Sequence, residues 1–330
     1  MMRAVVSAFW TAREAATASR CRLSYSAFAF ALAAAVLVLS LGIAVAATNV
    51  PPTALGEATP ADRGLPFEEA AFSTSDGVTL SGWYVPSQNG AAVVLLHGSG
   101  STRSAVLDQA AVLAGGGYGV LLPDARGHGG SGGRAMDFGW FGDADIAGAL
   151  DYLAGRPDVD ASRLAVVGMS MGGEEAIGAA AGDPRLQAVV AEGATGRTAA
   201  DKAWLSDEYG FRGWVQEGVD HLTYWLADLM TSTGPPIGLH DAVVAMAPRP
   251  LLLITAASVP DEVLVAERLQ AAAPDRVQVW EVPGAAHTGA LAIAPEEWAT
   301  RVLAFLDAVL LPADGSRAQT LPGDPAAVTR

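Results

Sequence analysis

The chain has 330 residues, 51% of them hydrophobic and 17% charged, with a net charge of −15. That leaves room for one large α/β domain with extensions and excludes a globally disordered chain. A body this acidic argues against nucleic acid as a partner, because phosphate contacts need clustered Lys and Arg, and a single cysteine, Cys21, excludes an intrachain disulfide and a Cys-based zinc site.

The charge is unevenly placed. Arg3, Arg13, Arg20 and Arg22 against Glu14 make the first 22 residues +3 and leave the remainder at −18. Residues 27–47, AFAFALAAAVLVLSLGIAVAA, then run without a charge for 21 residues, enough to cross a hydrocarbon core as a helix. The basic flank predicts residues 1–26 in the cytoplasm and the body on the extracytoplasmic side. The stretch exceeds the h-region of an ordinary leader, so a membrane signal anchor is favoured over a signal peptide cut near Ala46 or Ala47. A linker is expected over 48–66, ahead of a domain over 67–311.

Within the domain, Phe72 and the run 78–85 predict an antiparallel pair turned at Ser75-Asp76-Gly77. The apolar run 92–97 predicts a strand covered on both faces. A helix is expected over 102–114, ended by three glycines, then a strand at 119–123 and a helix at 143–154. Strands at 163–168 and 186–191 flank a helix at 171–181. After Arg249 come strands at 250–255 and 277–282 and helices at 261–273 and 295–311, with a disordered tail at 312–330. Strands alternating with helices predict a mostly parallel sheet with helices on both faces, an α/β fold.

Between about 193 and 248 that rhythm stops. The segment holds Trp204, Tyr209, Phe211, Trp214, Tyr224 and Trp225 and is longer than a plain crossover needs. A small helical cap over the carboxyl edge of the sheet is expected, where open α/β sheets place ligands. For any single one of these aromatics, filling the cap's own small core is the better reading.

The chemistry centres on GMSMGG, residues 168–173. A serine between a buried strand and a small-residue helix sits on a sharp turn, and the flanking glycines let neighbouring backbones approach. Ser170 needs a base within hydrogen-bond reach and a third group to orient that base. Of five histidines, His287 in PGAAHTG follows the last predicted strand directly and can reach the Ser170 turn. His97 and His128 lie in glycine-rich loops suited to shaping backbone, and His221 and His240 lie in the cap. The orienting acid belongs after the strand at 250–255, where Asp261 and Glu262 are the first carboxylates. Asp261 is preferred, although it also reads as the cap of the following helix; Glu262 is the alternative. An oxyanion needs backbone donors, expected from the N–H of Met171 and the N–H of Ser99 in the loop HGSG.

These motifs together resemble the α/β-hydrolase superfamily over roughly residues 68–311. The resemblance rests on HGSG, DARGHGGSGG, GMSMGG, PRPLLLI with its following acid and PGAAHTG, and on the order Ser170, then Asp261 or Glu262, then His287. Within the superfamily the chain is similar to the dienelactone-hydrolase and serine-aminopeptidase-like branches. It departs from them in ITAASVPD, residues 254–261, which lacks the glycine that precedes the acid in their common pattern. The resemblance implies an acyl-enzyme on Ser170 hydrolysed with His287 as base, on a small-molecule ester or related acyl substrate, with no metal or organic cofactor. A membrane-anchored acyltransferase and an inactive hydrolase-fold binding module are the alternatives.

Overall fold

A computed structural model describes residues 2–49 and 53–311, with side chains from Ser26 on; the tail at 312–330 lies outside the described residues. The first element is one long helix, α1 (Met2–Asn49). Its stretch Ser26–Asn49 is long and apolar enough to cross a membrane or to serve as a signal sequence.

The domain is an eight-stranded sheet in the order β1-β2-β4-β3-β5-β6-β7-β8. Its strands are β1 (Glu68–Ser73), β2 (Thr79–Val85), β3 (Ala92–Leu96), β4 (Gly119–Pro123), β5 (Leu164–Met169), β6 (Leu186–Glu192), β7 (Leu251–Ala256) and β8 (Val277–Val282). β2 runs against both of its neighbours, and from β4 to β8 all pairs are parallel. Parallel strands need crossovers, supplied here by α2 (Leu107–Gly115), α3 (Gly142–Ala154), α4 (Met171–Gly182) and α8 (Pro260–Ala272).

The continuous apolar runs of the central strands are explained by burial on both faces. Leu164 and Val166 point into one core layer with Ile146, Leu150, Ile177 and Val265. Ala165 and Val167, one residue out of step, point into the other with Leu113, Trp298 and Leu306. The second layer is closed by the last helices, α9 (Ala290–Ile293) and α10 (Pro295–Leu310).

The segment after β6 divides in two. Helix α7 (Leu239–Ala245) puts Leu239, Ala242 and Val243 into the first core layer, so it is the crossover helix proper. The excursion before it carries α5 (Leu205–Tyr209) and α6 (Phe211–Asp228). Helix α6 lies along α1: the Ser40 hydroxyl donates to the Val219 carbonyl at 3.2 Å, and Ala44 packs with Ala227 and Trp140.

Leu150 is fully buried between α3 and the sheet. Leu150→Ala is expected to destabilise the folded chain by about 2–5 kcal/mol, through lost transfer energy and an incompletely collapsed cavity. Urea unfolding of the detergent-solubilised chain followed by circular dichroism measures it.

Candidate active site

Ser170 stands between the end of β5 and the start of α4 with φ 54° and ψ −121°, a conformation that side-chain-bearing residues rarely hold. Its neighbours explain the glycines. A Cβ on Gly168 would run into the Gly172 carbonyl, and one on Gly172 would lie 2.6 Å from the His97 carbonyl oxygen. The turn is held from both sides: the Ser170 N–H donates to the Glu192 carbonyl at 2.7 Å, and the Gly173 and Glu174 N–H groups bond back to the Ser170 carbonyl.

His287 lies in the loop after β8, with Nε2 2.8 Å from Ser170 Oγ. Its Nδ1 is 2.7 Å from Glu262 Oε1. The structure thus corrects the preferred choice of acid, because the carboxylate that meets His287 is Glu262. Helix α8 starts at Pro260 after an N-cap at Val259, so Asp261 is inside the first turn rather than capping it. Adjacent helical positions diverge by about 100°. Position 262 therefore turns inward and is fully buried, its second oxygen accepting the Ala256 N–H at 2.8 Å. Position 261 turns toward the cap, where Asp261 accepts the Tyr209 hydroxyl at 2.7 Å. The hydrogen bond to Glu262 raises the His287 pKa above the ordinary imidazole value against the opposing effect of burial.

Two residues behind the histidine have no motif in the sequence. Gly193 has φ 73°, and a Cβ there would lie 2.9 Å from His287 Cε1. Glu192 is buried at the end of β6, accepting the Ala290 N–H at 2.9 Å and the Trp298 indole N–H at 3.0 Å. Burial pushes its pKa up. The signals were a glycine immediately after a strand and an acid ending an otherwise apolar run.

The loop HGSG lies beside the serine: a Cβ on Gly98 would sit 3.1 Å from Ser170 Cβ. Ser99 Oγ donates to Met136 Sδ at 2.8 Å, and Met171 opens α4. His97 and His128 shape this loop, as their glycine-rich surroundings suggest. His97 Nδ1 bonds the Gly98 carbonyl while Nε2 accepts the Ala125 N–H at 3.0 Å. His128 Nε2 accepts the Gly100 N–H at 3.2 Å, and its Nδ1 is 3.0 Å from the Arg126 carbonyl. Both rings need the Nδ1–H neutral tautomer to do this, and burial favours it, holding His97 down to about 4.

The cap aromatics divide between packing on one another and exposure. Tyr224 stacks on Trp140 and meets Phe138 edge-on, and Trp204 packs against Tyr209. Phe211, Trp214 and Trp225 face outward. Among the described residues, no group of three or more His, Cys, Asp or Glu side chains is placed to hold a metal ion.

Comparison with known proteins agrees with this construction. Residues 87–230 match the family model for serine aminopeptidase, S33. An uncharacterized protein of Mycobacterium tuberculosis is 32% identical over 226 residues, covering 66% of this chain and 72% of its own. A polyketide transferase of a Penicillium species is 34% identical over 136 residues, 38% of this chain and 45% of its own. The crystal structure of an esterase from Pyrococcus furiosus superposes with a TM-score of 0.63 at 26% identity, over 80% of this chain and 98% of that one. With its mostly parallel sheet, helical flanks and these relatives, the chain belongs to the α/β-hydrolase superfamily.

Proposed function

We propose that the protein is a serine hydrolase that cleaves an ester or related acyl bond through an acyl-enzyme on Ser170. The observation that carries this reading is the unbroken line Glu262–His287–Ser170, with contacts of 2.7 Å and 2.8 Å. Glu262 accepts Nδ1–H and so fixes the tautomer that leaves Nε2 free to take the serine proton. Ser170 Oγ then attacks the carbonyl carbon, and the leaving alkoxide takes that proton from His287. Water deprotonated by His287 releases the acid and restores the serine. The backbone N–H groups of Met171 and Ser99 are the donors assigned to the oxyanion. The likeness to the Pyrococcus furiosus esterase supports an ester as the substrate class.

A second reading is acyl transfer to an alcohol in place of water, supported by the likeness to the Penicillium polyketide transferase. The two share every step up to the acyl-enzyme. An inactive binding module fits poorly with a serine and histidine already in contact. We also read α1 as a retained anchor, with the body on the extracytoplasmic side because the four arginines precede the span.

The test is turnover of a panel of p-nitrophenyl esters by the full chain in detergent, with and without an added alcohol acceptor. Ser170→Ala is expected to lower kcat by about 10⁶-fold, as removal of the nucleophile does in serine proteases. Hydrolysis that survives the substitution would sink the proposal, and ester product formed on the added alcohol would favour transfer.

The acid is tested separately. Glu262→Gln offers Nδ1 an amide donor, which moves the ring proton to Nε2, and is expected to lower kcat by about 10⁴-fold. Asp261→Asn, away from the histidine, is expected to leave kcat nearly unchanged. In the wild type the acid limb of kcat/KM reports His287, which must be neutral to act as base. Glu262 raises that pKa, so the limb is displaced to higher pH than an ordinary imidazole would give, and the residual activity of Glu262→Gln should show its limb at lower pH.

A further inference from the structure

Helix α6 carries an apolar stripe that nothing in the domain covers. Phe211, Trp214, Gly218, His221, Trp225 and Leu229 recur at spacings of three and four, the period of one helix face. Phe211 is 77% exposed, Trp214 64%, Trp225 57% and Leu229 65%. Phe211 and Trp214 stack on each other at 5.8 Å between ring centres. The acids Glu217 and Asp220 are off this stripe: Glu217 accepts the Ser206 N–H, and Asp220 is largely buried. Arg212 and Asp228 flank the stripe and are exposed.

What lies beside that face decides its partner. The other side of α6 is packed on α1, and the two helices advance in the same direction. Ser40 meets Val219, and eight residues on Thr48 meets Met230 at 3.6 Å. Ser40 is nine residues before Asn49, the end of the candidate span. At 1.5 Å per residue that is roughly 13 Å along the axis, close to half of a hydrocarbon core about 30 Å thick. Val219 thus lies near the middle of the span, the later turns of α6 run beside the half nearest the catalytic domain, and Phe211, Arg212 and Trp214 continue about 12 Å past the middle. On α1 itself Phe28, Phe30, Val38 and Leu39 are exposed along the span.

We infer that the outward face of α6 lies in the lipid bilayer, as a second membrane contact beside α1. The stripe carries no Asp, Glu, Lys or Arg, and its exposed Phe211, Trp214, Trp225 and Leu229 present an apolar surface to lipid beside the span. The cap thereby enters the membrane beside α1, and the domain is held by two elements rather than swinging on a linker. The inference rests on the reading of α1 as a retained anchor.

Cys21 is the one native cysteine, so nitroxide labels can be placed singly in a Cys21→Ser background. The full chain is reconstituted in nanodiscs with labels at Trp214→Cys and Leu229→Cys on the stripe, Val38→Cys on α1, and Ala161→Cys in an exposed loop of the body. Stripe labels are expected to behave like Val38, relaxed strongly by oxygen and weakly by a water-soluble nickel chelate, with Ala161 the reverse. Stripe labels that follow Ala161 while Val38 reports lipid would overturn the inference alone. A Val38 label in water would overturn the anchor reading with it. Shielding of the stripe labels from both reagents, with dipolar broadening between chains, would assign the face to a second copy instead of lipid.

Discussion

The candidate site depends on one strained residue. Ser170 holds a positive φ that costs about 1–3 kcal/mol, and such a conformation persists only where the surroundings over-determine it. Here they do so by close approach. Gly168, Gly172 and Gly173 lack the Cβ atoms that would push β5, α4 and β3 apart, and the Glu192 carbonyl takes the Ser170 N–H from the neighbouring strand. The strain lifts the hydroxyl out of the sheet edge, where His287 meets it from the loop after β8.

The histidine is set by a second constraint, the burial of acids at the ends of β6 and β7. Glu262 and Glu192 are almost completely buried and every acceptor contact they make is with backbone N–H, the Trp298 indole or His287. A buried carboxylate is tolerated only with such partners. Glu262 thereby fixes the distance between β7 and the His287 loop, while Glu192 ties β6 to α9 and α10. Gly193 removes the side chain that would otherwise fill the space of the imidazole. The site is a consequence of where these strands end.

How much of this was legible in the sequence follows from the range of each interaction. The elbow was legible because its cause is local: a glycine on each side of Ser170 marks a close turn wherever it occurs. His287 was legible because five histidines leave few choices and one follows the last strand. The acid was not, because Asp261 and Glu262 differ only by one helical step, and the start of α8 at Pro260 decides which of them turns inward. Gly193 and Glu192 act across the sheet on residues about a hundred positions away, so a glycine after a strand and an acid ending an apolar run mark their places without reporting their partners. Which of the cap aromatics pack and which face out was not legible for the same reason. Composition marks them as apolar but not as facing outward, and the packing that turns them out is made with α1, some 180 residues earlier.

That packing links the span to the chemistry through a short physical path. Ala44 of α1 packs with Ala227 and Trp140, and Trp140 donates its indole N–H to the buried Arg197 carbonyl, four residues past Gly193. Phe138, next to Trp140, meets Tyr224 of α6, and Met136 at the start of the same turn accepts the Ser99 hydroxyl beside the nucleophile. Asp137, Phe138 and Gly139 all hold positive φ, so this turn is itself an over-determined element rather than a slack loop. It makes contacts on both sides, with the HGSG loop on one and α6 with α1 on the other. A packed turn of this kind does not deform continuously. The N-terminal helix is therefore part of the frame around Ser99, and removing it would leave Trp140 and Ala227 without the partner that closes their cluster.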